Sequence, residues 1–100
     1  MSKISIVVPS FNEEDNVGNL VKQIGDSLSG IDYEIVFVDD STDGTPSKLQ
    51  EIMKRDDRVR MKHRTGEKGL ATAVICGFRM ARGDYLAVMD ADLQHPPEIL

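Results

Sequence analysis

Four short apolar runs alternate with three amphipathic stripes along this chain, and that alternation fixes the fold class. Ile4-Ser5-Ile6-Val7-Val8 is β-branched and nearly all apolar, as a strand covered on both faces of a parallel sheet must be. Pro9, with no N–H for a ladder, is expected to end it. Val17, Leu20, Val21, Ile24 and Leu28 then follow the one-sided spacing of a helix, with Gly30 as its stop. Tyr33-Glu34-Ile35-Val36-Phe37-Val38 is the second strand, and Asp39 to Gly44 is a turn-rich loop. Thr45 is expected to cap a second helix, with Pro46 in its first turn and Leu49, Ile52 and Met53 on its buried side. Val59, Met61 and His63 alternate with Arg58, Arg60 and Lys62, the signature of a short edge strand. Ala71, Val74, Ile75 and Phe78 mark a third helix ending near Gly83, and Tyr85 to Met89 is a fourth buried strand.

The resulting β-α-β-α-β-α-β pattern demands a mainly parallel sheet with right-handed crossovers, a three-layer α/β/α domain. The expected strand order is 3-2-1-4. Ligands of such sheets bind beyond the carboxyl ends of the strands, where the order reverses, here between the first and fourth.

Composition narrows the function. The chain has 100 residues, one domain's length, and a net charge of −5 without a basic patch, so a nucleic-acid partner is not expected. Cys76 is the one cysteine, which suits a reducing cytoplasm, and no run approaches the ~20 apolar residues of a membrane span. Pro96-Pro97 before Glu98-Ile99-Leu100 reads as a helix beginning, so the chain is expected to be truncated. A fourth strand left as an apolar edge would then favour a homodimer.

Three strand ends carry the chemistry: Pro9-Ser10-Phe11-Asn12-Glu13-Glu14, Asp39-Asp40, and Asp90-Ala91-Asp92-Leu93-Gln94. Carboxylates gathered in one crevice repel unless a cation joins them. A hard ion, Mg²⁺ or Mn²⁺, takes oxygen ligands and leaves positions open for phosphate, so the pattern points to a metal–diphosphate site.

These segments, with Thr42-Asp43-Gly44-Thr45, resemble family 2 glycosyltransferases of the GT-A fold. Glu67-Lys68-Gly69-Leu70 and Met89-Asp90-Ala91-Asp92-Leu93-Gln94-His95-Pro96-Pro97 are similar to the dolichol- or polyprenyl-phosphate mannosyltransferase branch. The resemblance implies that residues 1–100 form the nucleotide-sugar-binding part of an inverting enzyme. It also implies a donor, GDP-mannose or a UDP-sugar, and a lipid-phosphate or hydroxyl acceptor bound elsewhere, with the parent at the cytoplasmic face of a membrane. By position, it places Pro9, Phe11 and Glu13 at the nucleoside, with Phe11 beside the base where the family often has Tyr. Val38 and Asp40 would line base and ribose, Asp90 and Ala91 the ribose and diphosphate, and Asp92 and Gln94 would ligate the metal. The catalytic base of the family falls outside these residues.

Plainer readings stand beside these. Asp39 and Asp40 are also ordinary turn residues, Asp92 a possible cap, and Glu13 and Glu14 solvated charges near a helix start. His63 is expected to have no ligand role, His95 to be structural, and Cys76 to pack as a small hydrophobe. Lys68 suits either a phosphate or solvent. Two other functions share the pattern: a receiver-type phospho-acceptor domain, from Val38-Asp39-Asp40, and a fragment that binds nucleotide without turnover.

Overall fold

The computed structural model describes residues 3–65, 70–89 and 98–99. Along the chain run β1 (Ile4–Ser10), α1 (Val17–Ser27), β2 (Tyr33–Asp39), α2 (Thr45–Arg55), β3 (Val59–His63), α3 (Leu70–Met80), β4 (Tyr85–Val88) and β5 (Glu98–Ile99). The sheet order is β3-β2-β1-β4-β5. The first four strands are parallel in the expected 3-2-1-4 order, and β5 is antiparallel to β4.

Strand parity divides the core. Ile6 and Val8 of β1 and Tyr33, Ile35 and Phe37 of β2 meet Val17, Leu20 and Ile24 of α1 and Leu49 and Ile52 of α2. Successive side chains of a strand point to opposite faces, so Val7, Val36 and Val38 turn the other way. There α3 lies so close that a Cβ at Gly77 would collide with the Val7 side chain. All seven residues of β2 are buried, which is why apolar continuity rather than alternation marks it in the sequence.

The α3 side also holds a polar node. Glu34, 2% exposed, accepts hydrogen bonds from the Ser5 hydroxyl (2.6 Å), the Arg60 guanidinium (2.9 Å) and the Arg82 N–H (2.6 Å). Arg60 also donates to the Met80 carbonyl at the end of α3 (2.7 Å). Gly83, expected near a helix stop, serves a close approach instead: its N–H reaches the Ser5 hydroxyl, and a Cβ there would lie 2.6 Å from the Lys3 carbonyl oxygen.

Four expectations are corrected. Pro9 lies inside β1. Backbone groups of Ile4 and Ser10 bond toward β2 whereas Val7 accepts from Met89, so odd residues of β1 face β4. The missing N–H of Pro9 thus falls beyond Val7–Val88, the last β1–β4 register pair, and costs no ladder bond. Thr45 is the first residue of α2 rather than its cap, because its hydroxyl is occupied by Asp43 and Glu13; Gly44 is the cap. Glu98 and Ile99 form a strand, not a helix start, pairing with Val88 and Ala87. That pairing uses the backbone groups an open β4 edge would expose, so the edge expected to mediate a homodimer is covered at those two residues. Among the described residues no helix is long and apolar enough to cross a membrane.

Candidate functional site

The carboxyl ends of β1 and β2 are in register: Pro9 pairs with Val38 and Ser10 with Asp39. Two loops leave from there, Phe11 to Asn16 and Asp40 to Gly44, and polar side chains tie them to each other. Asn12 has φ +52°, the one non-glycine residue with positive φ among those described. Its N–H donates to the Ser41 hydroxyl (2.7 Å), and its Oδ1 accepts from the N–H groups of Thr42 (2.8 Å) and Asp43 (3.2 Å). The Glu13 N–H donates to the Thr45 hydroxyl (2.9 Å), which donates to Asp43 Oδ1 (2.6 Å). That hydroxyl holds the Asp43 carboxyl below its ordinary range. Between these anchors Phe11 is 52% exposed, an aromatic face offered to solvent at a strand end.

Asp39 and Asp40 differ from the expectation of free carboxylates awaiting a cation. Asp39 is fully buried and accepts from Ser10 Oγ (2.7 Å), Ser41 Oγ (2.6 Å) and His63 Nδ1 (2.9 Å). Asp40 takes the Arg64 fork on both oxygens, Nε to Oδ1 at 2.8 Å and a terminal nitrogen to Oδ2 at 2.7 Å. The third guanidinium nitrogen of Arg64 reaches the Thr72 hydroxyl of α3 (3.2 Å). Buried charge is thus compensated by protein groups. His63, expected to have no ligand role, helps orient Asp39 from the neighbouring strand, its Nδ1 2.9 Å from Oδ2. Neither aspartate is an open phospho-acceptor, which removes the receiver-type reading.

Among the described residues no group of three or more His, Cys, Asp or Glu could hold a metal ion. Asp90, Ala91, Asp92 and Gln94 lie outside the described residues, as do Glu67, Lys68, Gly69 and His95. Met89, the last described residue before Asp90, donates its N–H to Val7 at 3.1 Å, beside the end of β1. Val38 is fully buried under α3, so any ligand contact there runs through its backbone; Pro9 and Glu13 are partly exposed. Cys76 is partly buried on α3.

Sequence reasoning missed Arg64, Thr72 and Asn12. For Arg64 a signal existed: a buried Asp40 requires a cation, and Arg64 follows the strand that pairs with β2. A cleft of about 880 Å³ lies between the end of β3 and α3, with Lys62, Arg64, Thr72 and Arg79 on its walls.

Comparison with known proteins agrees with this geometry. The model of the family described as glycosyl transferase family 2 matches residues 5–100. A dolichol-phosphate mannosyltransferase of Pyrococcus furiosus is 50% identical over 99 residues, covering 98% of this chain and 28% of the relative. One of Saccharomyces cerevisiae is 41% identical, covering 94% of this chain and 37% of its own length. The chain therefore spans about a third of the curated relatives it matches. Among solved structures, the mannosyltransferase PcManGT of Pyrobaculum calidifontis, in complex with GDP-Man and Mn²⁺, superposes with TM-score 0.80 at 27% identity over 91% of this chain and 28% of that one. Mannosyl-3-phosphoglycerate synthase of Rubrobacter xylanophilus shares the fold, with TM-score 0.77 at 24% identity over 95% of this chain and 32% of that one.

Proposed function

This chain belongs to glycosyl transferase family 2, and on that premise we propose that residues 1–100 are the nucleotide-sugar-binding part of an inverting hexosyltransferase. The observation that carries the reading is the joining of the β1 and β2 end loops around Phe11, Glu13 and Asp40, at the carboxyl ends of the strands and beside the β1–β4 reversal of strand order where such sheets bind ligands. The donor is GDP-mannose or a UDP-sugar, and the identity to dolichol-phosphate mannosyltransferases favours mannose and a lipid-phosphate acceptor.

Each residue has a task in this reading. Phe11 offers its exposed ring to the base. Asp40, fixed by Arg64, presents a carboxylate whose direction is set before the nucleotide arrives. Pro9, Val38 and Glu13 complete the nucleoside wall, and Asp90 and Ala91 follow the ribose and diphosphate. The oxygen donors Asp92 and Gln94 suit a hard cation, Mg²⁺ or Mn²⁺, which when bound neutralises the diphosphate and favours its departure. A lipid phosphate is already anionic and attacks the anomeric carbon without a general base; a hydroxyl acceptor needs one. In this reading the whole protein works at the cytoplasmic face of a membrane, where it would meet a lipid-phosphate acceptor.

Transfer of radiolabelled sugar to polyprenyl phosphate by the full-length protein tests the reading. Product is expected from GDP-mannose, dependent on Mn²⁺ or Mg²⁺, and D92N is expected to lower turnover by roughly a hundredfold or more. Absence of lipid-linked product from GDP-mannose and UDP-glucose alike would overturn it.

A further inference from the structure

Asn12 stands between two residues of the nucleoside wall, Phe11 and Glu13, in a backbone conformation that most side chains avoid. Asn is among the few residues that enter the left-handed region readily. Tolerance of φ is not all it supplies, since glycine would do that better. Its Oδ1 gathers the successive N–H groups of Thr42 and Asp43, and its own N–H is taken by Ser41. Three polar groups of the β2 end loop, about thirty residues away in sequence, therefore meet on one side chain and its amide.

We propose that Asn12 is a positioning residue for nucleotide binding, locking the β1 end loop to the β2 end loop so that Phe11 and Asp40 face one ligand. The inference rests on the functional reading above. Its geometry has a consequence independent of any ligand: the Thr42 and Asp43 amides, both on exposed residues, owe their protection from solvent exchange to Asn12. Without the Oδ1 acceptor the two loops separate, Phe11 loses its fixed exit from β1, and a bound nucleotide must order both loops itself. Strained backbone held by surrounding hydrogen bonds commonly marks such a place.

Three substitutions separate the parts. N12G keeps access to positive φ and removes the acceptor. N12D keeps both. N12A loses both. In the full-length protein, NMR amide exchange is expected to quicken about tenfold or more at Thr42 and Asp43 in N12G, and to stay within about threefold of wild type in N12D. Calorimetric affinity for GDP with Mn²⁺ is expected to fall about tenfold in N12G, with the melting temperature little changed, and further in N12A. Unchanged exchange in N12G, or the same loss in N12D as in N12G, overturns the clamp. Faster exchange with unchanged affinity overturns its role in binding. Wild-type protein that protects both amides yet binds neither GDP nor UDP sinks the functional reading and the binding role with it, while the clamp itself stands.

Discussion

The Asp40 carboxylate is 10% exposed and the Arg64 side chain 6%, so each is buried against the other. Removing the cation strands a buried charge, the expensive half of breaking such a pair. R64M is expected to destabilise the fold by about 3–5 kcal/mol in urea titration, and R64K by less, since lysine keeps the charge without the fork. A loss below about 1 kcal/mol in R64M would mean that Asp40 is solvated after all. Glu34 makes the pH-dependent counterpart. Burial pushes its carboxyl up, but the Ser5 hydroxyl, the Arg82 N–H and the Arg60 guanidinium outweigh that and hold it below its ordinary value of 4.5. A depressed folded value stabilises the protein above the unfolded pKa and loses that stabilisation as pH falls through the folded one. Acid unfolding is therefore expected to begin below about pH 4.5 at this node, and E34Q is expected to flatten the stability–pH curve there. An E34Q curve parallel to wild type would assign the acid sensitivity elsewhere.

At the scale of elements, α3 shows how packing overrides propensity. A glycine inside a helix costs about 0.5–1 kcal/mol relative to alanine. Gly77 is kept because Val7 occupies the place a Cβ would need. G77A is expected to lower stability by about 1–3 kcal/mol despite the better helix former, read as a lower melting temperature. A stabilised G77A would mean that α3 sits further from β1 than described. The elements themselves were legible because each carries a pattern of its own length: apolar β-branched runs in β1 and β2, and one-sided stripes in α1 and α2. Their boundaries were less so. Whether Pro9 ends β1 depends on which neighbour its missing N–H would face, and whether Thr45 caps α2 depends on a hydroxyl partner 32 residues away, Glu13. No two-residue run such as Glu98-Ile99 carries a period, so β5 could not be read. The strand-end motifs at Phe11 and Asp40 stood out in the sequence. The Arg64 fork on Asp40 did not, because the two meet through the β2–β3 register and lie 24 residues apart.

For the whole molecule, charge and topology pull in one direction. A chain of net charge −5 binds a diphosphate only with help from a cation or oriented backbone amides. The parallel order 3-2-1-4 sets the carboxyl ends of β2, β1 and β4 side by side, with the reversal between β1 and β4. The aspartates Asp39 and Asp40 there are already paired within the protein, and in the proposed reading Asp92 and Gln94 ligate the metal. The most direct test is calorimetric titration of the full-length protein with GDP and with UDP, each with and without Mn²⁺. Binding of one nucleotide, tightened about tenfold or more by Mn²⁺ and losing that gain in D92N, is the result this account predicts. Binding of neither nucleotide by folded protein, with or without metal, would contradict it.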